Sequence, residues 1–221
     1  ADQDTRFAGG ISARGGAASG DGGTAEVSGR AGLLFAGSAD LSSPHGATGS
    51  LLLDPTDFAI GTDMTGAQLA SALASANVTV QTGESGSRAG DLTVDDDVSW
   101  SSANMLILNS HRNVVVNSAI GNDGGGSLEL RADLDGTGSG TVTFGPHGSV
   151  TLGGGTASIY YNPSSYASPT DYAPYFAGVV PTAYMLVNSL NQLGAMRTNL
   201  NGAYALGRDI DASATNGGVG F

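Results

Sequence analysis

The chain of 221 residues contains no cysteine and no lysine. Without cysteine there are no disulfides, no zinc fingers and no thiol nucleophile. The same lack suits a chain that crosses a periplasm unfolded, because no thiol is there to be trapped by oxidation. Without lysine, Schiff-base chemistry, a phosphate-binding P-loop and a Lys–Asn isopeptide crosslink are excluded. Positive charge of any kind is scarce: eight arginines stand against 20 acidic residues, for a net charge of −12. Such an acidic surface repels nucleic acid and anionic membranes, so neither is an expected partner. No apolar run reaches the length of a membrane span, and no signal peptide is visible. Membrane insertion is therefore not expected. With Ala1 at its start, the chain reads as a mature fragment or an excised piece of something longer.

Glycine is abundant at 36 residues, while charged residues make up only 13 %. Many tight corners between short strands would use that glycine, and 40 % hydrophobic content in ordered alternation argues against a disordered linker. The alternation has a period. Val98, Ile120 and Val142 stand 22 apart, as do Leu106, Leu128 and Val150; Leu92 and Val114 begin a third series that stops at Gly136. All but Ile120 belong to an apolar-x-apolar pair, such as Val98/Trp100, Leu106/Leu108 or Val114/Val116. Residues two apart on a strand face the same way. Short strands at a fixed interval, each with one inward pair, predict a solenoid whose successive turns cover one another. The expected fold is all-β, a parallel β-helix with three strands and about 22 residues per turn and short helical insertions.

Three regions follow. Residues 1–23, rich in Gly, Ala, Ser and Asp, read as a loose edge or an incomplete first turn. Residues 24–162 form the β-helix, with Ala25/Val27, Leu33/Phe35, Ala39/Leu41, Leu51/Leu53 and Val78/Val80 as early pairs and Ile159/Tyr161 as the last. Within it, residues 65–76 predict a short helix capped by Thr65, whose Leu69, Ala72 and Leu73 share a face. Residues 163–221 open on a Tyr/Pro-rich excursion. A helix is expected near 183–199, where Met185, Leu186, Leu190, Leu193 and Met196 follow helical spacing from a Thr182 cap. Tyr204, Leu206 and Ile210 predict one more strand, and Asn216-Gly217-Gly218 a closing turn.

Several phrases resemble the large secreted adhesins of the filamentous haemagglutinin type, the exoproteins of two-partner secretion. They are Gly-Ser-Leu-Leu-Leu-Asp-Pro at 49–55 followed by a helix-forming segment and Asn-Val-Thr-Val at 77–80; Val98-Ser-Trp100; Leu106-Ile-Leu108-Asn109; Val114-Val-Val116-Asn117; Ile159-Tyr-Tyr-Asn-Pro163; and the run from Asn199 to Ser213. The resemblance covers nearly the whole chain from about residue 22. It implies a right-handed parallel β-helix exported through an outer-membrane pore of a Gram-negative bacterium, acting in surface attachment, aggregation or biofilm formation. The Asn-Pro-Asn-Gly motif of the secretion domain is missing, so the resemblance points to the shaft or a distal module.

Asp95-Asp96-Asp97 and Asp133-Leu-Asp135-Gly136-Thr-Gly138 are oxygen-rich as calcium loops are, though the second lacks a third acidic ligand and a closing Glu, and Gly121-Asn122-Asp123-Gly124-Gly125-Gly126 faintly resembles the calcium nonapeptide but occurs once. The competing reading is of solvated turns in which Asp bonds its own backbone. No cofactor is expected, structural calcium being the alternative. His45, His111 and His147 read as turn residues, and no Gly-x-Ser-x-Gly elbow selects a nucleophile. Asn109 and Asn117 each follow an inward pair and could begin a stack of amides along the rod. Tyr166, Tyr172 and Tyr175 are the candidate ligand-binding residues, since tyrosine joins an apolar face to a polar tip; the competing reading makes their segment a cap over the end of the core.

The chain is thus expected to be a non-enzymatic, monomeric adhesin segment at the cell surface or secreted from it. Its expected partners are a surface glycan or protein of host or bacterium, and the export pore during secretion. A β-helical polysaccharide lyase is one alternative, and a glycan- or protein-binding adhesin tip is the other. Lyase chemistry needs basic groups converging with acidic ones on one face, whereas the eight arginines are scattered singly.

Overall fold

A computed structural model describes residues 4–83 and 89–215. The structure is mostly β, with every strand pairing parallel and few helices. Strands come in sets of three. The first set is β1 (Thr5–Phe7), β2 (Gly10–Ser12) and β3 (Thr24–Gly29), and the second β4 (Leu33–Phe35), β5 (Ser38–Asp40) and β6 (Ser50–Pro55). The third is β7 (Phe58–Ile60), helix α1 (Gly66–Leu73) and β8 (Asn77–Gln81). The fourth is β9 (Leu92–Val94), β10 (Val98–Trp100) and β11 (Leu106–Asn109); the fifth is β12 (Val114–Val116), β13 (Ala119–Asn122) and β14 (Leu128–Arg131). The sixth is β15 (Val142–Phe144), β16 (Ser149–Leu152) and β17 (Ala157–Tyr161). After them come β18 (Phe176–Ala177), β19 (Thr182–Val187), helix α2 (Leu190–Ala195) and β20 (Tyr204–Leu206).

Most strands pair with their counterpart in the next set; β4 and β7 do not pair with each other, and α1 stands between β5 and β10. The largest sheet has eight strands in the order β20-β19-β17-β14-β11-β8-β6-β3, and the others are β15-β12-β9-β7, β10-β13-β16-β18, β1-β4 and β2-β5. Register places like residues over like: Leu106 lies between Val78 and Leu128, and Leu108 between Val80 and Leu130. These inward rows join one core cluster running from Val27 to Val187. Alternation along each strand sends the intervening residues outward.

Helix α1 occupies the place of a middle strand between β5 and β10. Thr65 and Gln68 close a capping box at its start, and Asp96 Oδ2 accepts from Gly66 N at 2.8 Å. At its other end Ser102 Oγ and Asn104 Nδ2 donate to Leu73 O at 2.6 and 2.7 Å. The orphan groups of the helix termini are thus met by the neighbouring set. Leu69, Ala72 and Leu73 are buried, the face that the sequence marks.

Four expectations need correction. The 22-residue step holds once in each series: Val98 pairs with Ile120, Leu106 with Leu128 and Leu92 with Val114. The next partners, however, are Val150 for Ile120, Ala157 for Leu128 and Val142 for Val114, so Val142 and Val150 belong to other rows. Extra residues between β14 and β15 lengthen the step. They form a loop in which Asp133 (φ 53), Gly136 and Gly138 have left-handed backbone and Gly140 (φ 111) passes Arg112 O so closely that a Cβ would lie 1.9 Å from it.

Second, of the two readings of residues 1–23, the described residues 4–23 exclude the loose edge and leave that of a first turn. Thr5–Phe7 pairs with β4 and Gly10–Ser12 with β5, placing Phe7 against Phe35 with ring centroids 5.2 Å apart. Third, the helix near 183–199 is shorter. Thr182–Val187 is a strand, because β17 offers it an unfilled ladder and Met185, Leu186 and Val187 are all buried there; helix runs only from Leu190, with a 3-10 turn at Met196–Thr198. Fourth, β7 is a buried strand that the periodic series omits. The turn expected at Asn216-Gly217-Gly218 lies outside the described residues.

Candidate functional site

The tyrosine-rich segment resolves into three environments. Tyr161 is fully buried and packs edge-on against Tyr172, centroids 5.1 Å apart at 83°. The Tyr172 hydroxyl donates to Val142 O at 2.9 Å, and that of Tyr166 to Leu186 O at 2.7 Å. Burial pushes the Tyr166 phenol up to about 12 and raises that of Tyr172 further. Tyr166 and Tyr172 are only 6 % and 3 % exposed. The expectation that they contact a ligand is therefore corrected: their rings are core, and the segment covers the apolar rows between β15, β17 and β19. Tyr175 is 37 % exposed and stacks on Phe144, centroids 4.5 Å apart at 12°. It alone of the three presents a ring to solvent.

The acidic loops are committed to the protein's own donors. Asp95 accepts from Thr93 Oγ1 and Asn117 Nδ2, Asp96 from Gly66 N, and Asp97 from Ala119 N. Asp133 is fully buried and accepts from Thr137 N and Oγ1, Gly138 N, Asn162 Nδ2 and Asn188 Nδ2 at 2.7 to 3.1 Å. Five donors saturate a carboxylate's lone pairs, and Asp135 lies 2.7 Å from His111 Nδ1. No group of three or more His, Cys, Asp or Glu with metal-holding geometry occurs among the described residues. His45 and His147 are exposed.

The proposed amide stack is misplaced rather than missing. Asn109 lies in register with Gln81 and Arg131, not with another asparagine, and Asn117 bonds Asp95. Amides stack instead at Asn162 and Asn188, 2.9 Å apart. The inward partner of Ile120 is Asn122, 4 % exposed, donating to Trp100 O and Ser102 O at 3.0 Å and accepting from Gly124 and Gly126 N. The break in the apolar-pair pattern at Ile120 was its visible mark in the sequence.

The outward face of the eight-stranded sheet is the surface on which chemistry-bearing side chains gather. One row reads Ser28, Asp54, Gln81, Asn109, Arg131, Tyr160, Tyr184, in register at each step but that from Asp54 to Gln81, where the ladder ends at Leu53 and Val80, and a second reads Glu26, Leu52, Thr79, Ile107, Glu129, Ser158, Thr182. Tyr160 and Tyr184 are half-buried and stacked, with centroids 4.9 Å apart at 13°. Arg131 Cζ lies 5.4 Å from the Tyr160 centroid, within reach of a cation–π contact. Arg131 Nε and Asn109 Oδ1 are enclosed and without a hydrogen-bond partner. Burial raises the carboxyls of Glu129 and Asp54, Arg131 partly offsetting the first and Glu26 adding to the second. Burial likewise raises the Tyr160 phenol, with Glu129 adding to the shift. A shallow groove of about 400 Å³ opens on the same face beside Glu26, Leu52 and Thr79. Sequence reading missed this row, although period-2 alternation from Leu128 to Tyr161 places Glu129, Arg131 and Tyr160 on one side. No helix among the described residues is long and apolar enough to cross a membrane.

Comparison with protein-family models, characterised proteins and solved structures returns no match.

Proposed function

We propose that the chain is a right-handed parallel β-helix and that it serves as a rigid, non-enzymatic segment of an extracellular bacterial adhesin. The observation that carries this reading is the unbroken parallel ladder of eight strands, in which successive sets stack the same inward rows. Parallel strands joined by crossovers in one sheet take the right-handed path in nearly all known cases. At roughly 4.8 Å per strand, eight strands extend the body by about 33 Å, a geometry suited to holding one end away from another. Covalent crosslinks cannot supply that stiffness in a chain without cysteine or lysine. Continuous ladders and buried polar staples supply it instead.

On this reading the surface partner is a glycan or protein of a host or bacterial cell, the export pore is met only during secretion, and the working unit is a monomer. The resemblance to filamentous haemagglutinin-type adhesins supplies the cell-surface setting.

Beads coated with the chain, incubated with epithelial cells and with bacterial biofilm, test the adhesive role. Retention above that of beads carrying an unrelated acidic protein is expected. Equal retention, or release of unsaturated sugar products from polyuronate by the soluble chain, would overturn it in favour of inert packing or of a lyase.

A further inference from the structure

From the outward row of the large sheet we infer a binding site for a neutral pyranose glycan, formed by Arg131, Glu129, Tyr160 and Tyr184 with Asn109 beneath. The inference rests on the adhesive reading and names its ligand.

Arg131 carries five N–H donors in a planar fork, yet among the described residues it makes no hydrogen bond and no ion pair; it faces the Tyr160 ring and the field of Glu129. Glu129, two residues earlier on the same face of β14, forms no ion pair with Arg131 among the described residues, although the guanidinium still favours its charged form, so a donor fork and an acceptor carboxylate stand on one face. Next to them in register, Asn109 Oδ1 is an enclosed acceptor with nothing to accept from. Polar atoms left unmade in a folded protein are rare and call for a cause. An unfilled donor beside an unfilled acceptor matches a group that is both, which a hydroxyl is. A carboxylate only accepts and an ammonium only donates. Both Arg131 Nε and Asn109 Oδ1 are enclosed in the free chain, so binding requires the Arg131 side chain to move; a sugar's vicinal hydroxyls then complete the set.

The neighbouring row positions supply the apolar half of the match. Tyr160 and Tyr184 form one half-buried stack, and Ile107 lies half-buried on the adjoining row. Tyrosines that lose little freedom on binding are favoured in contact surfaces, and here each ring is already held by its neighbour. Charge selects among glycans. The chain carries −12, and Asp54 and Glu129 share this face. Uronates and sulfated sugars are therefore disfavoured against neutral hexoses.

The test is binding of the full chain to immobilised neutral hexose oligosaccharides, with uronate and sulfated oligosaccharides beside them. Arg131→Ala, Arg131→Gln and Tyr184→Ala are compared with Tyr175→Ala, each checked by thermal melting. We expect retention on neutral sugars, at least tenfold weaker binding for R131A and Y184A, a smaller loss for R131Q, and no change for Y175A. Absence of binding to neutral sugars, preference for the anionic ones, or unchanged binding by folded R131A would each overturn the site. Cell adhesion by the unaltered chain that R131A leaves intact would remove this site and spare the adhesive reading. Sugar binding without adhesion to any cell would remove the adhesive reading and spare the site.

Discussion

Replacing Asp133 by alanine should cost this protein about 3 kcal/mol. The carboxylate is fully buried and collects five donors from three stretches of chain: Thr137 and Gly138 of its own loop, Asn162 after β17 and Asn188 after β19. Hydrogen bonds to a charged acceptor contribute about 1.5–3 kcal/mol each, but the five do not simply add. Asn162 Nδ2 keeps Gly140 O at 3.0 Å, and Asn188 Nδ2 keeps Asn162 Oδ1 at 2.9 Å. Thr137 and Gly138 are exposed, so water can replace part of what they lose. About two full bonds remain unreplaced, which sets the magnitude.

Backbone adds to it. Asp133 is the one non-glycine residue with positive φ among the described residues, and alanine is disfavoured in that region by about 1 kcal/mol. Asp133→Gly removes the carboxylate but not the conformational fit, so D133G should be about 1 kcal/mol less damaging than D133A. Asp133→Asn keeps the shape but turns an amide toward donors, and should still lose about 2 kcal/mol. Urea unfolding followed by circular dichroism reads these directly. With a slope near 2–3 kcal/mol per molar, the D133A midpoint should fall by about 1 M. A D133A midpoint within about 0.2 M of the parent, or D133N as stable as the parent, would refute the reasoning that a saturated buried carboxylate ties these stretches together.

Asn122 should likewise be irreplaceable by an apolar residue, although the repeat invites one. Both Asn122→Ala and Asn122→Leu leave Trp100 O and Gly126 N unmatched, a loss of about 2–3 kcal/mol; a thermal melt of N122L equal to the parent's would contradict this. Asp91 sets part of the acid response. Hydrogen bonds from the Arg112 side chain, above all, hold its carboxyl below the ordinary range, helped by the Asn113 N–H. Between the lowered and the ordinary value, below about pH 4, the unfolded chain binds the more protons, so stability rises with pH through this window and is lost on acidification. Asp91→Asn should flatten that slope in urea midpoints measured against pH; an unchanged slope would assign the acid response elsewhere.

How far the fold could be read depended on which forces act locally. Inward pairs such as Leu106/Leu108 and Val114/Val116 are fixed by pleat and burial, both written in the sequence at period two, and they lie where expected. Helix α1 was legible because its cap, Thr65 with Gln68, is local. The strand at Thr182–Val187 was not, since Met185, Leu186 and Leu190 suit a helix and only the open edge of β17 decides otherwise. This is tertiary context overriding periodicity. The tyrosines show a similar limit. Composition marks the segment, but whether a ring faces core or water depends on the partners that meet it. Val142 O reaches the Tyr172 hydroxyl from 30 positions away, a link that no local pattern announces.

The broken interval and the buried carboxylate are two sides of one device. A corner can lengthen without disturbing its flanking strands only if the added backbone finds partners, since unpaired amides in a packed corner are costly. The added stretch after β14 meets that condition by anchoring Asp133 N to Arg112 O and Leu134 N to Ser110 O on the preceding set, then folding Thr137 and Gly138 back onto the carboxylate. Downstream, Asn162 and Asn188 reach the same carboxylate, so the longer corner is fastened to later sets as well. Length variation is thereby confined to corners, and the strands on either side keep register: Arg131 still lies over Tyr160 and Tyr160 over Tyr184. A flat outward row that survives changes at its margins is what a surface needs if it is to present one fixed set of groups to a partner.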